Sequence, residues 1–507
     1  MLPKILLTLA LLAPLAAAAQ RKNLTITTYG AKGDGQTDNT VFIQNALDEA
    51  AAQGGRVVVP AGRFVTGPLL LPSHTELHLD RGATLLGSTH RLDYGTQKLQ
   101  TNALLTAVGQ QDIAITGQGT IDGRGREVVQ DLLALLRADR LQDPEWQVKR
   151  PLENSRPFIV LFANCRQVRV TGVTLKDAAC WVQVYRDCSD MKFDSIKVQS
   201  TAYWNNDGID LVDCQRVALT NSTFDAADDG ICLKSENLHS RCEDISIRNC
   251  TVRSSASGFK LGTASWGDFK NIRVDGLKVY DTFRSAIALE AVDGGKLEDI
   301  DIRNVVATNT GNAIFLRLGH RRGAAPGVLR RVYIGNVKAE IPLNKPDKGY
   351  ELEGPVFKEA HNINPSSIVG LPGHPVQDVT LENIDLTYVG GNSPAVAHRG
   401  LDSLARVPER APGYPEFSMF GELPSYGFYT RHASNITFKN VRIQTKGADY
   451  RPALLFDDVQ KLTLQKVTVP TAPTQPTLVL NDVVGVTRQQ VSLPGAAKQA
   501  TLVRGHK

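Results

Sequence analysis

The sequence predicts an all-β chain folded as a single-stranded, right-handed parallel β-helix with an N-terminal helical cap and loop insertions. Three observations carry this prediction. From about Gln110 onward a motif recurs in which an anchor residue is followed three positions later by an aliphatic residue and, eight positions later, by another. Most anchors stand 23 to 32 residues apart, and between them apolar residues alternate with polar ones as in short strands. Few helical patterns intrude. A unit of this length cannot bury its apolar face alone, so neighbouring units stack, and strands repeating in one direction form long parallel sheets.

Taken in order, Met1 to Gln20 carries Lys4 in a short basic head, an apolar run from Ile5 to Leu15 and alanines through Ala19. This predicts a signal peptide over 1–19 and a secreted or periplasmic protein. The run is too short to span a bilayer, and no later stretch reaches the length of a membrane helix, so no membrane partner is expected. A cap and the first coils follow over 20–105. Here YGAKGDGQTDNTVFIQNALDEAAAQGG combines a Gly-rich opening with a short helix, capped by Asp38 or Asn39, whose apolar positions include Phe42, Ile43, Ala46 and Leu47. It would close an otherwise open end of the coil.

The β-helix itself is expected over 106–495, with a tail over 496–507. Its anchors run from Cys165, Cys188, Cys214 and Cys242 through Phe269 and Leu297 to Val483. The plus-three row reads Val168, Met191, Val217, Ile245, Ile272, Ile300, Val332, Val379, Ile436, Leu462 and Val486. In the plus-eight row only Ser222 breaks the apolar rule. A second helical insertion is predicted from Val128 to Val148, with Leu132, Leu133, Leu135 and Leu136 as its apolar stripe. The long interval from Val376 to Ala433 marks a loop that leaves the coil and returns, the kind of segment that carries function on a rigid scaffold.

The 7 cysteines read as buried thiols rather than disulfides, because four hold the anchor register and Cys250 holds a plus-eight position. Paired Cys or His spacing for a metal is missing. Charge is nearly balanced, 57 Lys and Arg against 52 Asp and Glu, so nucleic acid is not an expected partner. The chemistry concentrates in NNDGIDLVDCQRVALTNSTFDAADDGICLK, residues 205–234, where Asp-Gly-Ile-x-Leu occurs at Asp207 and again at Asp229, directly after Asp228. On successive coils Asp207 and Asp229 would lie about 4.8 Å apart. Carboxylates that close raise each other's proton affinity, a cost that structure alone rarely explains.

The YGAKGDGQTDNT, WNNDGIDL, AADDGICLKS and GFKLGT runs and the YPEFSMFGELPSYGFYTRH loop resemble glycoside hydrolase family 28, the polygalacturonase family, over nearly all of the mature chain. The resemblance implies a pectin-lyase-like β-helix and a monomeric glycosidase. It also implies inverting hydrolysis of α-linked pectic polysaccharide of galacturonan or rhamnogalacturonan type, without metal or other cofactor. Asp228 would be the general acid, and Asp207 and Asp229 would activate water; an inverting enzyme needs that division of labour between carboxyl groups. The chain departs from the family in two places. The usual His-Gly is Ser257-Gly258, and the Arg-x-Lys that grips a sugar carboxylate is Ala288-Leu289-Glu290.

Aligning Asp207, Asp229, Ser257 and Ser285 as one stack puts Asp210, Cys232, Lys260 and Ala288 in a second, three positions on. Lys260 would then sit one coil from the family's Arg position. Lys260, Asp210, Glu290 and Arg317 are therefore the candidate substrate-binding residues, with Lys260 holding a sugar carboxylate or else pairing with Asp210. Trp181, Trp204, Trp266 and Tyr426 are either sugar platforms or packing residues. The alternatives are a hydrolase of the same fold acting on another plant polysaccharide, a pectate-lyase-like enzyme, and a non-catalytic binding β-helix.

Overall fold

The computed structural model describes residues 22–95, 103–347, 350, 361–390, 401–470, 476–494 and 501–505. The segment read as a signal peptide lies outside the described residues. From Asn23 onward the chain winds as a right-handed parallel β-helix. Among the described residues all pairings between strands are parallel, and the one antiparallel contact is an isolated bridge between Leu371 and His374.

The plus-three row is one continuous ladder. Val168 pairs with Met191, Met191 with Val217, and so on through Ile245, Ile272, Ile300, Val332, Val379, Ile436, Leu462 and Val486. Each coil thus lays its aliphatic side chain on the one below, and the inner face becomes a single hydrophobic column running the length of the molecule. Ser222 is tolerated inside because its hydroxyl donates to Thr220 O at 2.7 Å and accepts from Ile196 N at 3.2 Å. All seven cysteines are buried free thiols, and Cys165, Cys188, Cys214, Cys242 and Cys250 belong to this column.

The coils turn on left-handed residues, several of them asparagine, which tolerates that conformation better than most residues. Asn304, Asn336, Asn383 and Asn440 form an exposed amide ladder, linked at 2.9, 2.8 and 2.7 Å. The capping helix is Thr40–Gln53, burying Ile43, Ala46, Leu47 and Ala50, with Phe42 only partly covered. Asn39 is the N-cap residue, its carbonyl accepting from Ile43 N at 2.9 Å while its side chain turns back to the Lys32 and Thr37 carbonyls, and the side-chain contact to the first turn comes from Asp38, which accepts from Thr40 N at 2.9 Å.

Two boundaries differ from the sequence reading. The second helix is Gly125–Arg137, earlier and shorter than Val128 to Val148, because the apolar stripe ends at Leu136 and an irregular polar segment follows. The tail contributes a strand, Thr501–Arg504, paired to Leu478–Gln489.

Candidate active site

The strands that bear the repeated Asp-Gly phrase are Ile209–Val212 and Ile231–Ser235, paired Ile209 to Ile231 and Asp210 to Cys232. Backbone bonds carry the alignment through the preceding residues: Gly208 N donates to Asp229 O at 2.9 Å, Gly230 N to Ser257 O at 2.8 Å, and Gly258 N to Ser285 O at 2.9 Å. Asp207, Asp229, Ser257 and Ser285 therefore stack. The glycines are required by this closeness. A Cβ at Gly208 would sit 2.5 Å from Gly230 O, and one at Gly230 would sit 2.2 Å from a Val252 methyl.

Around this stack five carboxyl groups (Asp207, Asp210, Asp228, Asp229 and Glu290) face three cations, Lys234, Lys260 and Arg284. The pairing is uneven. Lys234 bridges Asp207, at 3.0 Å, and Asp210. Lys260 donates to Asp229 at 3.0 Å and lies 3.8 Å from Glu290. Asp229 also accepts from Ser257 N at 2.9 Å. Asp228 has no lysine of its own; Asn205 Nδ2 donates to it at 3.3 Å, and its other oxygen accepts from Asp229 N at 2.9 Å.

These contacts separate the acids. Burial, then the Asp229 charge, raises the proton affinity of Asp228, against the pull of Arg284 and Lys260. Burial also acts to raise Asp229, but Lys260 and Arg284 outweigh it and hold this carboxylate below its ordinary range. Asp207 is raised, by burial first, with Lys234 opposing. Asp210 is raised to about 6 by burial. A raised, half-buried carboxyl beside a lowered, buried one is the asymmetry that acid and base catalysis need.

The four residues expected to bind substrate are all buried and paired within the protein. Lys260 is 2% exposed, and its ammonium is taken by Asp229, Glu290 and, at 3.4 Å, Tyr414 OH, so its charge already has partners. Asp210 is fully buried against Lys234, and Glu290 is buried on Thr263 Oγ1 at 3.1 Å. Arg317 is fully buried too, donating to Gly370 O at 3.0 Å and Glu409 O at 2.6 Å, and so braces the 401–425 segment instead of facing the cleft. Of the aromatics, Tyr426 lies in the core. Trp181 stacks on Phe158 at 5.5 Å, with Lys234 Nζ 3.6 Å from its ring centroid.

Sequence reasoning missed Lys234, Asn205 and Arg284. Two of these had a signal. Arg284 stands one residue before Ser285 as Asp228 stands before Asp229, and Arg284 N bonds Ala256 O at 2.8 Å in that register. Lys234 is two residues beyond Cys232 on the same strand face, paired with Val212. Asn205 carried no such signal, because its aim is set from outside the coil. Arg150 Nε and Arg156 each donate to its Oδ1, at 3.0 and 2.8 Å, which leaves its amide hydrogens for Asp228.

Asp207, Asp229 and Cys232 bring three donor atoms within 4.8 Å of one another. They fit a metal poorly. Positive charge is already supplied there by Lys234 and Lys260, and burial keeps Cys232 a thiol that donates to Gly262 O at 3.2 Å.

A family model described as Glycosyl hydrolases family 28 matches residues 51–338. An exo-poly-alpha-D-galacturonosidase from Dickeya chrysanthemi is 30% identical over 250 residues, which cover 41% of this chain and 41% of that protein, well under two thirds of its length. An endo-polygalacturonase from Pectobacterium carotovorum subsp. carotovorum is 27% identical over 304 residues, covering 56% of this chain and 73% of that protein. Among solved structures, the exopolygalacturonase from Thermotoga maritima shares the fold with a TM-score of 0.56 and 24% identity, covering 72% of this chain and 87% of the other. With more than half of the chain matched by the family model, and the paired acidic strands in register, the chain belongs to glycoside hydrolase family 28 as a polygalacturonase-like glycosidase.

Proposed function

We propose that the protein is an exported enzyme that cleaves α-glycosidic bonds of pectic polysaccharide, of galacturonan or rhamnogalacturonan type, by inverting hydrolysis. The observation that carries this reading is the division among the three acids: Asp228 is half-buried with raised proton affinity, while Asp229 is buried and kept ionised by Lys260. In this scheme Asp228 gives its proton to the leaving glycosidic oxygen. Asp229, helped by Asp207 within 4.8 Å, accepts a proton from the attacking water on the opposite face of the sugar. One proton leaves the acid and one reaches the base, so the bond is hydrolysed without a covalent intermediate. Lys260 stays charged and holds the Asp229 carboxylate in place, while Lys234 fixes Asp207 against Asp210. The test is incubation of the purified protein with a panel of pectic fragments. Release of reducing sugar without unsaturated product supports hydrolysis, an unsaturated product would mean a lyase, and no turnover on any pectic fragment would remove the substrate assignment.

A further inference from the structure

The outer row of the strand face that carries the acids runs Leu161, Val184, Asp210, Cys232, Lys260, Ala288, Phe315 from coil to coil. On one side of the carboxylates this row is covered. Ala288 and Phe315 lie in an apolar cluster with Leu404, Phe417, Phe420 and Leu423, so the 401–425 segment sits on the groove directly beyond Lys260. On the other side the same face opens into a pocket of about 510 Å³, floored by Leu161 and Ala163 and walled by Trp181, Arg186 and the segment from Glu145 to Arg156. That volume is in the range of small-molecule sites. The pocket begins one or two strands from Asp210, roughly 5 to 10 Å along the axis. It meets the acids through Asn205, which both lines the pocket and bonds Asp228.

The charges in the pocket are not equivalent. Lys149 lies 4.0 Å from Glu145, Arg186 pairs with Glu236, and Arg156 is 1% exposed with its nitrogens given to Asn205 and to backbone carbonyls. Arg150 differs. It is partly exposed, its Nε bonds Asn205, its guanidinium lies 5.2 Å from the Trp204 ring centroid, and its two terminal nitrogens have no partner among the described residues. A planar fork with both terminal nitrogens available matches a carboxylate. At the acids the cations Lys234 and Lys260 are already paired with carboxylates, so a charged sugar group is favoured where the open Arg150 fork lies.

We infer that this pocket is a subsite for an acidic sugar, in which Arg150 holds the uronate carboxylate of the residue next to the one being cleaved. The assignment rests on the pectic reading above. It also gives the groove a direction: substrate extends toward Arg150 and ends against the 401–425 segment.

Equilibrium binding of short oligogalacturonides and of their carboxyl-reduced, neutral counterparts to the full-length Asp228→Asn protein tests the subsite, with and without Arg150→Gln. Arg150→Gln is expected to weaken the acidic ligand by about 10- to 100-fold, as for loss of hydrogen bonds to a charged group, and to change the neutral one less than about 2-fold on the same grounds. Arg150→Lys, which keeps the charge but not the fork, should fall between, and an unchanged melting temperature shows that the variants are folded. Equal losses on both ligands, no preference for the acid in the parent, or no binding of acidic sugar would overturn the subsite. Turnover of pectic substrate by wild type with Arg150→Gln binding unaltered would remove the subsite and leave the function standing. An acid preference lost in Arg150→Gln, with no pectic turnover by wild type, would do the reverse.

Discussion

At the scale of single residues, the structure divides labour between two adjacent carboxyls by giving a lysine to one and an asparagine to the other. Asp228→Asn keeps the volume but cannot donate a proton to the leaving oxygen, and its one amide oxygen can accept from only one of Asn205 Nδ2 and Asp229 N. Its kcat should fall by about 10² to 10⁴, the usual contribution of general acid catalysis, with circular dichroism unchanged; near-full rate would take the acid role from Asp228. The pH profile follows from the same contacts. Activity needs Asp229 ionised and Asp228 protonated, so it should rise as pH climbs past the depressed Asp229 value and fall as pH climbs past the raised Asp228 value. Asn205 donates to Asp228 and favours its ionised form. Asn205→Ala should therefore raise the proton affinity of Asp228 further and move the alkaline limb of kcat/KM upward. An alkaline limb that stays put or moves down would show that this amide does not act on the acid.

At the scale of elements, the coil repeat was legible because burial enforces it. The plus-three aliphatics are partners in one ladder, and the cysteines lie where a small apolar side chain fits between stacked turns. A thiol reagent should accordingly find little or nothing in the native protein and all 7 cysteines after unfolding; rapid labelling of several in the folded state would contradict the packing. The stacks through Asp207 and Asp210 were legible for the same reason. What each side chain does in its stack was not, because partners come from other coils and from insertions. Lys260 has the register expected of it, yet Glu290 and Tyr414 enclose it, and neither distance is written in the local sequence. Its loss should register as stability. Removing one partner of a buried ion pair strands the other charge, so Lys260→Ala should cost about 3 to 5 kcal/mol in denaturant unfolding. A loss below about 1 kcal/mol, the value of an exposed pair, would mean that the Asp229 contact is open to water.

At the scale of the whole molecule, the β-helix supplies a face on which acidic and basic side chains recur from coil to coil, and the insertions cover one stretch of that face and wall another. The segment from Glu145 to Arg156 builds one wall and aims Asn205, while the 401–425 segment covers the face beyond Lys260. Between them lies the cluster of Asp207, Asp228 and Asp229. In the proposed mechanism Asp229 and Asp207 activate water on the side of the sugar opposite Asp228. The most direct test is proton NMR of the products in the first minutes of hydrolysis of an α-linked pectic oligosaccharide, before the anomers equilibrate. The newly formed reducing end is expected first as the β-anomer; its first appearance as the α-anomer would mean a covalent intermediate with net retention and would contradict the water-activation scheme.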